Sequence, residues 1–471
     1  MTTPRREDPL LKPGARVLVM GLGGFGGGEG AARFLAQQGV RVTVTDLRPE
    51  AELAAPVSRL ADLPIEFHLG GHVESDFAAA DAVIVNPAVK PGSPWLALAR
   101  RHGARLDTEV NLFLRLCPAP VVGVTGSNGK STTATLAWEM LRRSRPAWLG
   151  GNLGGSLLAD LPAITPGGVV VVELSSFQLD RLAWGAPAPA VAVALNLNPN
   201  HIDWHGDFAA YEAAKRNICA MQRADGWAVL NAADPRVAAW RGHCGGRVFE
   251  VGGAEDGRAG AWLRGSDLVL RAPGREERAS LASLPLAGPH HRMNAACAAS
   301  AAWLLGAGAK DIEAALAAFK PLAHRMETVA VVDGVTWVND SKATTPEAAI
   351  AALNAFDGPI HLIAGGSPKG TPFDELGRAI ATRATTAALI GQTAPAIEAA
   401  VRACPGNRAE ILRPATLAQA VEELRRRAGP GSVVLLSPAC ASFDLFRSYA
   451  DRGDQFRRLA NAPPAAPNQV V

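Results

Sequence analysis

The sequence predicts an α/β protein of three successive domains, each built on a largely parallel sheet. Three observations carry that prediction. Apolar runs such as Arg16-Val-Leu-Val-Met20, Gly168-Val-Val-Val-Val172 and Ile360-His-Leu-Ile363 recur along the 471 residues and alternate with helical stretches, as βα units do. The run before Glu173 is continuous rather than alternating, which suits a strand buried on both faces. Two runs end in glycine-rich turns that lead into helices, the arrangement that presents backbone N–H groups to phosphate. The length accommodates about three domains of ~150 residues, placed at 1–117, 118–320 and 321–471.

In the first block, Met1-Thr-Thr-Pro-Arg-Arg-Glu-Asp8 leads into no apolar segment of signal-peptide type. Arg16 to Met20 reads as a strand. Gly21-Leu-Gly-Gly-Phe-Gly26 follows, and Gly21, Gly23 and Gly26 match G-x-G-x-x-G, with Leu22 and Gly24 inside the turn. A helix is predicted from Ala31 to Gln38 and a strand from Val40 to Thr45. Asp46 closes that strand, at the distance from the glycines where dinucleotide-binding folds keep an acid. Taken alone, this block reads as an NAD site.

The middle block opens on Val121-Val-Gly-Val-Thr-Gly-Ser-Asn-Gly-Lys-Ser-Thr132. Val121, Val122 and Val124 form the strand. Gly126, Ser127, Asn128 and Gly129 form the turn, and Lys130, Ser131 and Thr132 begin the helix. The generic phosphate-loop spacing is missed by one residue, since Val124 stands where a glycine is required and the glycine is Gly123. Lys130 is expected at the β/γ-phosphates and the Ser131 hydroxyl on Mg²⁺. Glu173 ends its strand at the carboxyl edge of the sheet, where switch-point sites lie. Val191 to Leu195 is a further strand, Tyr211 to Ile218 a helix, and residues 241–285 carry short β-like pieces with no chemistry assigned. Gly288-Pro-His-His-Arg-Met-Asn294 opens an alanine-rich helix, and the uncharged run Met293 to Ala309 falls short of the ~20 strongly apolar residues of a membrane span.

In the third block, strands Val335–Val338, Ile360–Ala364 and Ser432–Ser437 each run into a polar loop: Asn339-Asp-Ser-Lys-Ala-Thr-Thr345, Gly365-Gly-Ser-Pro-Lys369 and Pro438-Ala-Cys-Ala-Ser-Phe-Asp444. The tail from Ala462, rich in proline and alanine, reads as disordered.

Composition narrows the function. The 47 basic and 44 acidic residues give a net charge of +3, which argues against a nucleic-acid or membrane surface. The six cysteines form no C-x-x-C pair, so neither a zinc nor a redox motif is visible and a reduced, cytoplasmic chain is expected. His201 and His205 are four apart, but Ile202 stands where a zinc protease needs glutamate.

The stretches GVTGSNGKST, VVELSSFQL, N-x-x-x-N-H-x-D, YEAAK, GPHHRMN, HRME, VNDSKAT, AGGSPK and SPACASFD occur in this order. Through them nearly the whole chain resembles the Mur ligases, and within these the members that add D-glutamate to UDP-N-acetylmuramoyl-L-alanine. The resemblance implies a Rossmann-like UDP-binding domain, a central ATP-binding domain with a phosphate loop, and a Rossmann-like amino-acid-binding domain. It implies ATP-driven amide formation through an acyl phosphate, in the cytoplasm, by a monomer. It also implies two Mg²⁺ ions and a carbamylated Lys215.

By matching position, Lys130 is expected to stabilise the γ-phosphate, Ser131 and Glu173 to hold the first Mg²⁺, and His201 with carbamylated Lys215 to serve the second. The loop Gly126–Thr132 with Asn294, His324, Arg325 and Asp340 matches the ATP site. Gly21, Leu22, Gly23, Gly24, Asp46 and Arg48 match the UDP end of the substrate, and Asn152 and Ser175 its muramoyl-alanine end. Lys342, Thr344, Lys369, Ser442 and Phe443 match the D-glutamate pocket. Three positions depart from the family pattern: His291 and Thr345 stand where asparagine is usual, and Tyr449 where phenylalanine is common.

Other readings compete. Folylpolyglutamate synthetase shares the phosphate loop but lacks a separate N-terminal nucleotide domain, whereas about 120 residues precede the loop here. An NAD-dependent oxidoreductase explains the first glycine turn and leaves the second phosphate loop unexplained. A catalytically dead binding protein has no need of Lys130, Glu173, His201 and Lys215 together.

Overall fold

The computed structural model describes residues 8–22, 26–153, 155–286, 288–369 and 371–463. Gly23, Gly24 and the proline-rich end of the tail lie outside these residues. Among the described residues, twenty strands form three sheets of five, nine and six strands. The first two sheets belong to one compact unit, Met1–Ser283 with Met293–Ala318. The third belongs to a second unit, Leu284–Arg292 with Phe319–Val471.

The first sheet contains β1 (Arg16–Met20), β2 (Arg41–Asp46), β3 (Ile65–Leu69), β4 (Ala82–Val85) and β5 (Arg105–Asp107), in the order β3-β2-β1-β4-β5. Every pair is parallel. The chain order reverses at β1, which places a switch-point crevice beyond the carboxyl ends of β1 and β4. Gly21 lies there with φ 89°, and the helix Gly27–Gln37 starts after Gly26. Gly28 is obligatory, because a Cβ at that position would collide with the Gly21 carbonyl oxygen. The helix therefore starts four residues earlier than its apolar pattern predicts, since the sequence places glycines in its first turn, where propensity alone disfavours them.

The second sheet contains β6 (Val121–Thr125), β7 (Ala147–Gly151), β8 (Val169–Glu173), β9 (Val191–Ala194), β10 (Trp227–Asn231), β11 (Arg247–Val251), β12 (Gly260–Arg264), β13 (Asp267–Ala272) and β14 (Arg275–Ser280). Their order is β14-β13-β12-β11-β10-β9-β6-β8-β7. The strands from β7 to β12 pair in parallel, and β12, β13 and β14 form an antiparallel edge. The unassigned stretch 241–285 is thus the far edge of this sheet. Val169 to Val172 are fully buried, as expected of a strand covered on both faces. One hydrophobic core runs without a break from Val17 and Val42 to Val170 and Trp240, which joins the first two blocks into one unit.

The third sheet contains β15 (Glu327–Val332), β16 (Val335–Asn339), β17 (Ile360–Gly365), β18 (Ala384–Ile390), β19 (Glu410–Leu412) and β20 (Val433–Leu436), ordered β15-β16-β20-β17-β18-β19. Only β15 pairs antiparallel. The polar loops after β16, β17 and β20 therefore emerge together from one edge of this sheet. No helix among the described residues is long and apolar enough to cross a membrane.

Candidate active site

Sheet register assembles the centre of the first unit. Val124 of β6 lies opposite Glu173 of β8, and Glu173 lies opposite Gly151 of β7. Three chain segments therefore leave the sheet side by side: the phosphate loop, the turn after Glu173, and Asn152. The Ser131 hydroxyl donates a hydrogen bond to Glu173 Oε2. Asn152 donates its side-chain amide to Glu173 Oε1 at 2.9 Å, and its backbone N–H to the Glu173 carbonyl at 2.9 Å. The backbone bond extends the β7–β8 pairing by one residue, so Asn152 is fixed by main chain and side chain alike.

The phosphate loop is held from its other side. Asn196 accepts from Asn128 N at 2.8 Å and donates to the Asn128 carbonyl at 3.1 Å. Ser127 Oγ bonds the backbone of Asn198 and the Tyr211 hydroxyl, the latter at 2.8 Å. Gly129 has φ 83°, and a Cβ there would press into the Asn294 amide at 2.7 Å. Glycine is thus required twice over at the start of the helix Lys130–Leu141. Lys130 Nζ donates to the carbonyls of Gly126 and Ser127 at 2.9 Å each.

Lys215 enters from the helix Phe208–Ala220, which Asp207 caps by accepting from Ala210 N. The spacing puts Tyr211, Lys215 and Cys219 on one buried face. Lys215 is only 2% exposed. Its Nζ donates to the Gly126 carbonyl at 2.8 Å and to Thr125 Oγ1 at 3.3 Å, and lies over the Tyr211 ring. Burial, and then repulsion from Lys130, pushes its pKa well below the ordinary lysine value against the opposing pull of Glu173. His201 has φ 55°, and its ring meets Phe177 at 4.7 Å and Tyr211 at 6.4 Å between centroids. Lys130, Ser131, Glu173, Asn152 and Lys215 thus form one cluster, which Tyr211 connects to His201.

A cavity of about 680 Å³ adjoins this cluster within the same unit. Gly21, Asp46, Arg48, His72 and the loop Asn86–Lys90 wall it on the side of the first sheet. Asn152, Ser175, Phe177 and Gln178 wall it on the side of the second. Asp46 accepts from Leu22 N at 3.1 Å and from two nitrogens of the Arg48 guanidinium. Burial alone would raise the Asp46 pKa, but these hydrogen bonds outweigh it and hold the carboxylate ionised. Ser175 caps the helix Ser176–Asp180 and Gln178 reciprocates, a complete capping box. Glu109 also lines the cavity. Burial raises its pKa to about 7 against a 2.6 Å hydrogen bond from Ser156.

The second unit gathers the remaining predicted residues. Arg452 is fully buried and donates to Ser341 Oγ and to the carbonyls of Ser341, Cys440 and Ala441, which ties the loop after β16 to the loop after β20. The Lys342 ammonium stands 3.8 Å from the Tyr449 ring centroid, and Lys369 Nζ donates to Thr344 Oγ1 at 3.0 Å. Ser442 is buried, whereas Phe443 is 77% exposed. Asp340 accepts from Ser437 and Met326 N; its burial raises the pKa to about 7. His324, at φ 64°, bonds Asn339, and the Arg325 charge lowers the Asp340 pKa as the least of its influences. Thr345 caps the helix Pro346–Leu353, a role that threonine fills much as the usual asparagine would. His291 is buried with neither ring nitrogen hydrogen-bonded, and burial lowers its pKa to about 3.

Several residues escaped the sequence reading. Asn196, Asn198 and Tyr211 lie in quoted stretches, yet their grip on the phosphate loop needs the fold to be seen. His72 and Glu109 line the cavity without any motif of their own, and Phe177 and Gln178 lie in the stretch VVELSSFQL without being singled out there. Among the described residues, no group of three or more His, Cys, Asp or Glu side chains could hold a metal ion. An ion here therefore depends on mixed ligands such as Ser131 with Glu173. Both offer oxygen and meet at a helix start, a donor set that fits Mg²⁺.

Comparison with known proteins identifies the family. Residues 15–107 match the MurD-like N-terminal domain of Mur ligases, residues 124–302 the Mur ligase middle domain, and residues 324–440 the Mur ligase glutamate ligase domain. A UDP-N-acetylmuramoylalanine–D-glutamate ligase of Roseiflexus sp. (strain RS-1) is 43% identical over 466 residues, covering 95% of this chain and 99% of the relative. The corresponding ligase of Symbiobacterium thermophilum is 41% identical, covering 91% and 94%. Among solved structures, the MurF ligase of Thermotoga maritima, in complex with ADP, has a TM-score of 0.56 at 18% identity and covers 96% of this chain and 98% of its own. A pseudomurein peptide ligase type C from Methanothermus fervidus has a TM-score of 0.56 at 20% identity, covering 90% and 97%. The chain belongs to the Mur ligase family, on its MurD-like branch.

Proposed function

We propose that this chain joins D-glutamate to the alanyl carboxylate of UDP-N-acetylmuramoyl-L-alanine at the expense of ATP. One observation carries the reading. The cavity beside the glycine turn of the first sheet is also lined by Asn152, and Asn152 is bonded to Glu173, which is bonded to Ser131 of the phosphate loop. A substrate with its nucleotide toward Asp46 and Arg48 and its carboxylate toward Asn152 therefore reaches the place where a γ-phosphate would sit. The names and identities of the relatives support the same activity.

The chemistry follows from the groups. A carboxylate is a poor acylating agent, so one of its oxygens attacks the γ-phosphorus and ADP departs. The free amine of D-glutamate then attacks the acyl carbon, phosphate leaves, and the nitrogen loses a proton. Both steps bring anions together, and preorganised cations lower that barrier. Lys130, held over its own loop, supplies one such charge. Ser131 and Glu173 would hold a first Mg²⁺, and His201 with Lys215 a second. When bound, the ions neutralise charge on the phosphates.

Lys215 fits this assignment as a carbamate. Its depressed pKa leaves it a neutral amine more readily than a surface lysine. Addition of that nitrogen to CO₂, with loss of one proton, gives an anionic oxygen ligand. In the second unit, Lys342 and Lys369 offer cations to the two carboxylates of D-glutamate and Ser442 offers a hydroxyl. On this reading residues 1–117 take UDP, 118–320 take ATP, and 321–471 take the amino acid.

Phosphate release from ATP tests the proposal, measured with UDP-N-acetylmuramoyl-L-alanine and a panel of amino acids. D-glutamate is expected to give the highest rate. A faster reaction with L-glutamate, lysine or diaminopimelate overturns the assignment.

A further inference from the structure

Arg181 ends the short helix Ser176–Asp180 that walls the cavity. It is 0% exposed. Nη1 donates to the Asn86 carbonyl at 2.7 Å and Nη2 to the Val89 carbonyl. Its own carbonyl accepts from the Asn111 amide at 2.7 Å. The indoles of Trp184 and Trp204 lie 5.2 and 5.6 Å from its guanidinium carbon. Among the described residues, no carboxylate forms an ion pair with it, and burial lowers its pKa to about 10.

A buried guanidinium without a carboxylate is costly to desolvate. An apolar side chain of similar size would fill the space at lower cost, so packing does not account for an arginine. What arginine adds is a rigid fork of donors, and here the fork spans the carbonyls of Asn86 and Val89. Those carbonyls belong to the loop Asn86–Lys90, which carries the opposite wall of the cavity. That loop is seated in turn on the first sheet: Asn86 N donates to the Met20 carbonyl at 3.0 Å, and the Asn86 amide reaches the Gly21 carbonyl. Arg181 therefore links the helix bearing Phe177 and Gln178 to the loop that touches the glycine turn.

We propose that Arg181 is the positioning residue for the UDP-bearing substrate, fixing the distance between the two walls that must grip it. The inference rests on the reading of this cavity as the UDP-substrate site. Its side-chain hydrogen bonds all run to that wall and none to the phosphate loop. Holding the walls apart in advance spares the substrate the cost of ordering them. Loss of the fork weakens that substrate selectively and leaves ATP binding alone.

The test compares wild type, R181A and R181K by steady-state kinetics, and by calorimetric binding of UDP-N-acetylmuramoyl-L-alanine and of a non-hydrolysable ATP analogue. For R181A, the expected result is a rise of about tenfold or more in KM and Kd for the UDP substrate, with ATP values and saturating kcat within about twofold. R181K keeps the charge but lacks the fork, and is expected to fall between the two. It also carries the test alone if R181A does not fold. An unchanged UDP-substrate KM in the folded variants, or equal losses for both substrates, overturns the inference. If wild type itself fails to bind the UDP substrate, the functional reading has failed and the inference with it. If wild type binds and the variants bind equally well, only the role of Arg181 is lost.

Discussion

Lys215 Nζ rests 2.8 Å from the carbonyl oxygen of Gly126, so a buried amine on one helix touches the loop that is to cradle the phosphates. An ordinary ammonium does not need that depth. Lys215→Ala is expected to be nearly inactive and to regain activity with added acetate or formate, which replace the lost carboxylate. Lys215→Arg keeps a cation and cannot form the carbamate, so it is expected to fail without rescue. Normal ligation by Lys215→Arg would show that the lysine acts as a plain charge.

Lys130 is expected to matter through charge at the transferring phosphoryl group. Lys130→Ala should lower kcat by about 10²-fold or more, while binding of the UDP substrate by calorimetry stays close to wild type. Wild-type turnover in that variant rules out this loop as the ATP site.

The Lys342–Tyr449 contact explains why an aromatic residue other than the common phenylalanine is tolerated at position 449. The ring face holds the ammonium, and the hydroxyl is not part of that attraction. Tyr449→Phe is expected to leave the KM for D-glutamate unchanged, whereas Tyr449→Ala should raise it by about 3- to 30-fold. Equal KM values in the two variants would remove Tyr449 from the amino-acid site.

Glu109 gives stability a pH dependence of known sign. Its carboxyl titrates near 4.5 when unperturbed and at about 7 when folded, so the folded chain holds the proton more tightly. The stabilisation is complete below about pH 4.5 and is lost as pH rises through about 7. Glu109→Gln keeps the shape and an acceptor for Ser156 but cannot ionise. Between about pH 5 and 8, the Tm of wild type should fall relative to this variant, by an amount corresponding to about 2 kcal/mol. A constant difference across that range would mean that Glu109 is ionised throughout.

Much of the fold was legible because each strand announces itself locally. Val121–Thr125 and Val169–Glu173 are continuous apolar runs, and the glycine turns mark where they end. The phosphate loop, Glu173 and Lys215 could be named because they lie in dense motifs. The joining of the first two blocks was not legible. It rests on contacts such as Arg181 to Asn86 and Ser156 to Glu109, between residues far apart in sequence whose types follow no period. The start of the first helix at Gly27 was missed for the opposite reason, because its glycines obey tertiary crowding rather than helix propensity. The departure at Thr345 gave no sign in the sequence of a capping role, and its hydroxyl accepts from Ala348 N to cap the helix Pro346–Leu353.

Arg452 grips its two loops mainly by their carbonyl oxygens. Such an anchor is blind to the side chains of the residues it holds. Substitutions of side chains in those loops can therefore leave their backbone course in place. Both loops thus depend on one buried arginine, whatever side chains they carry.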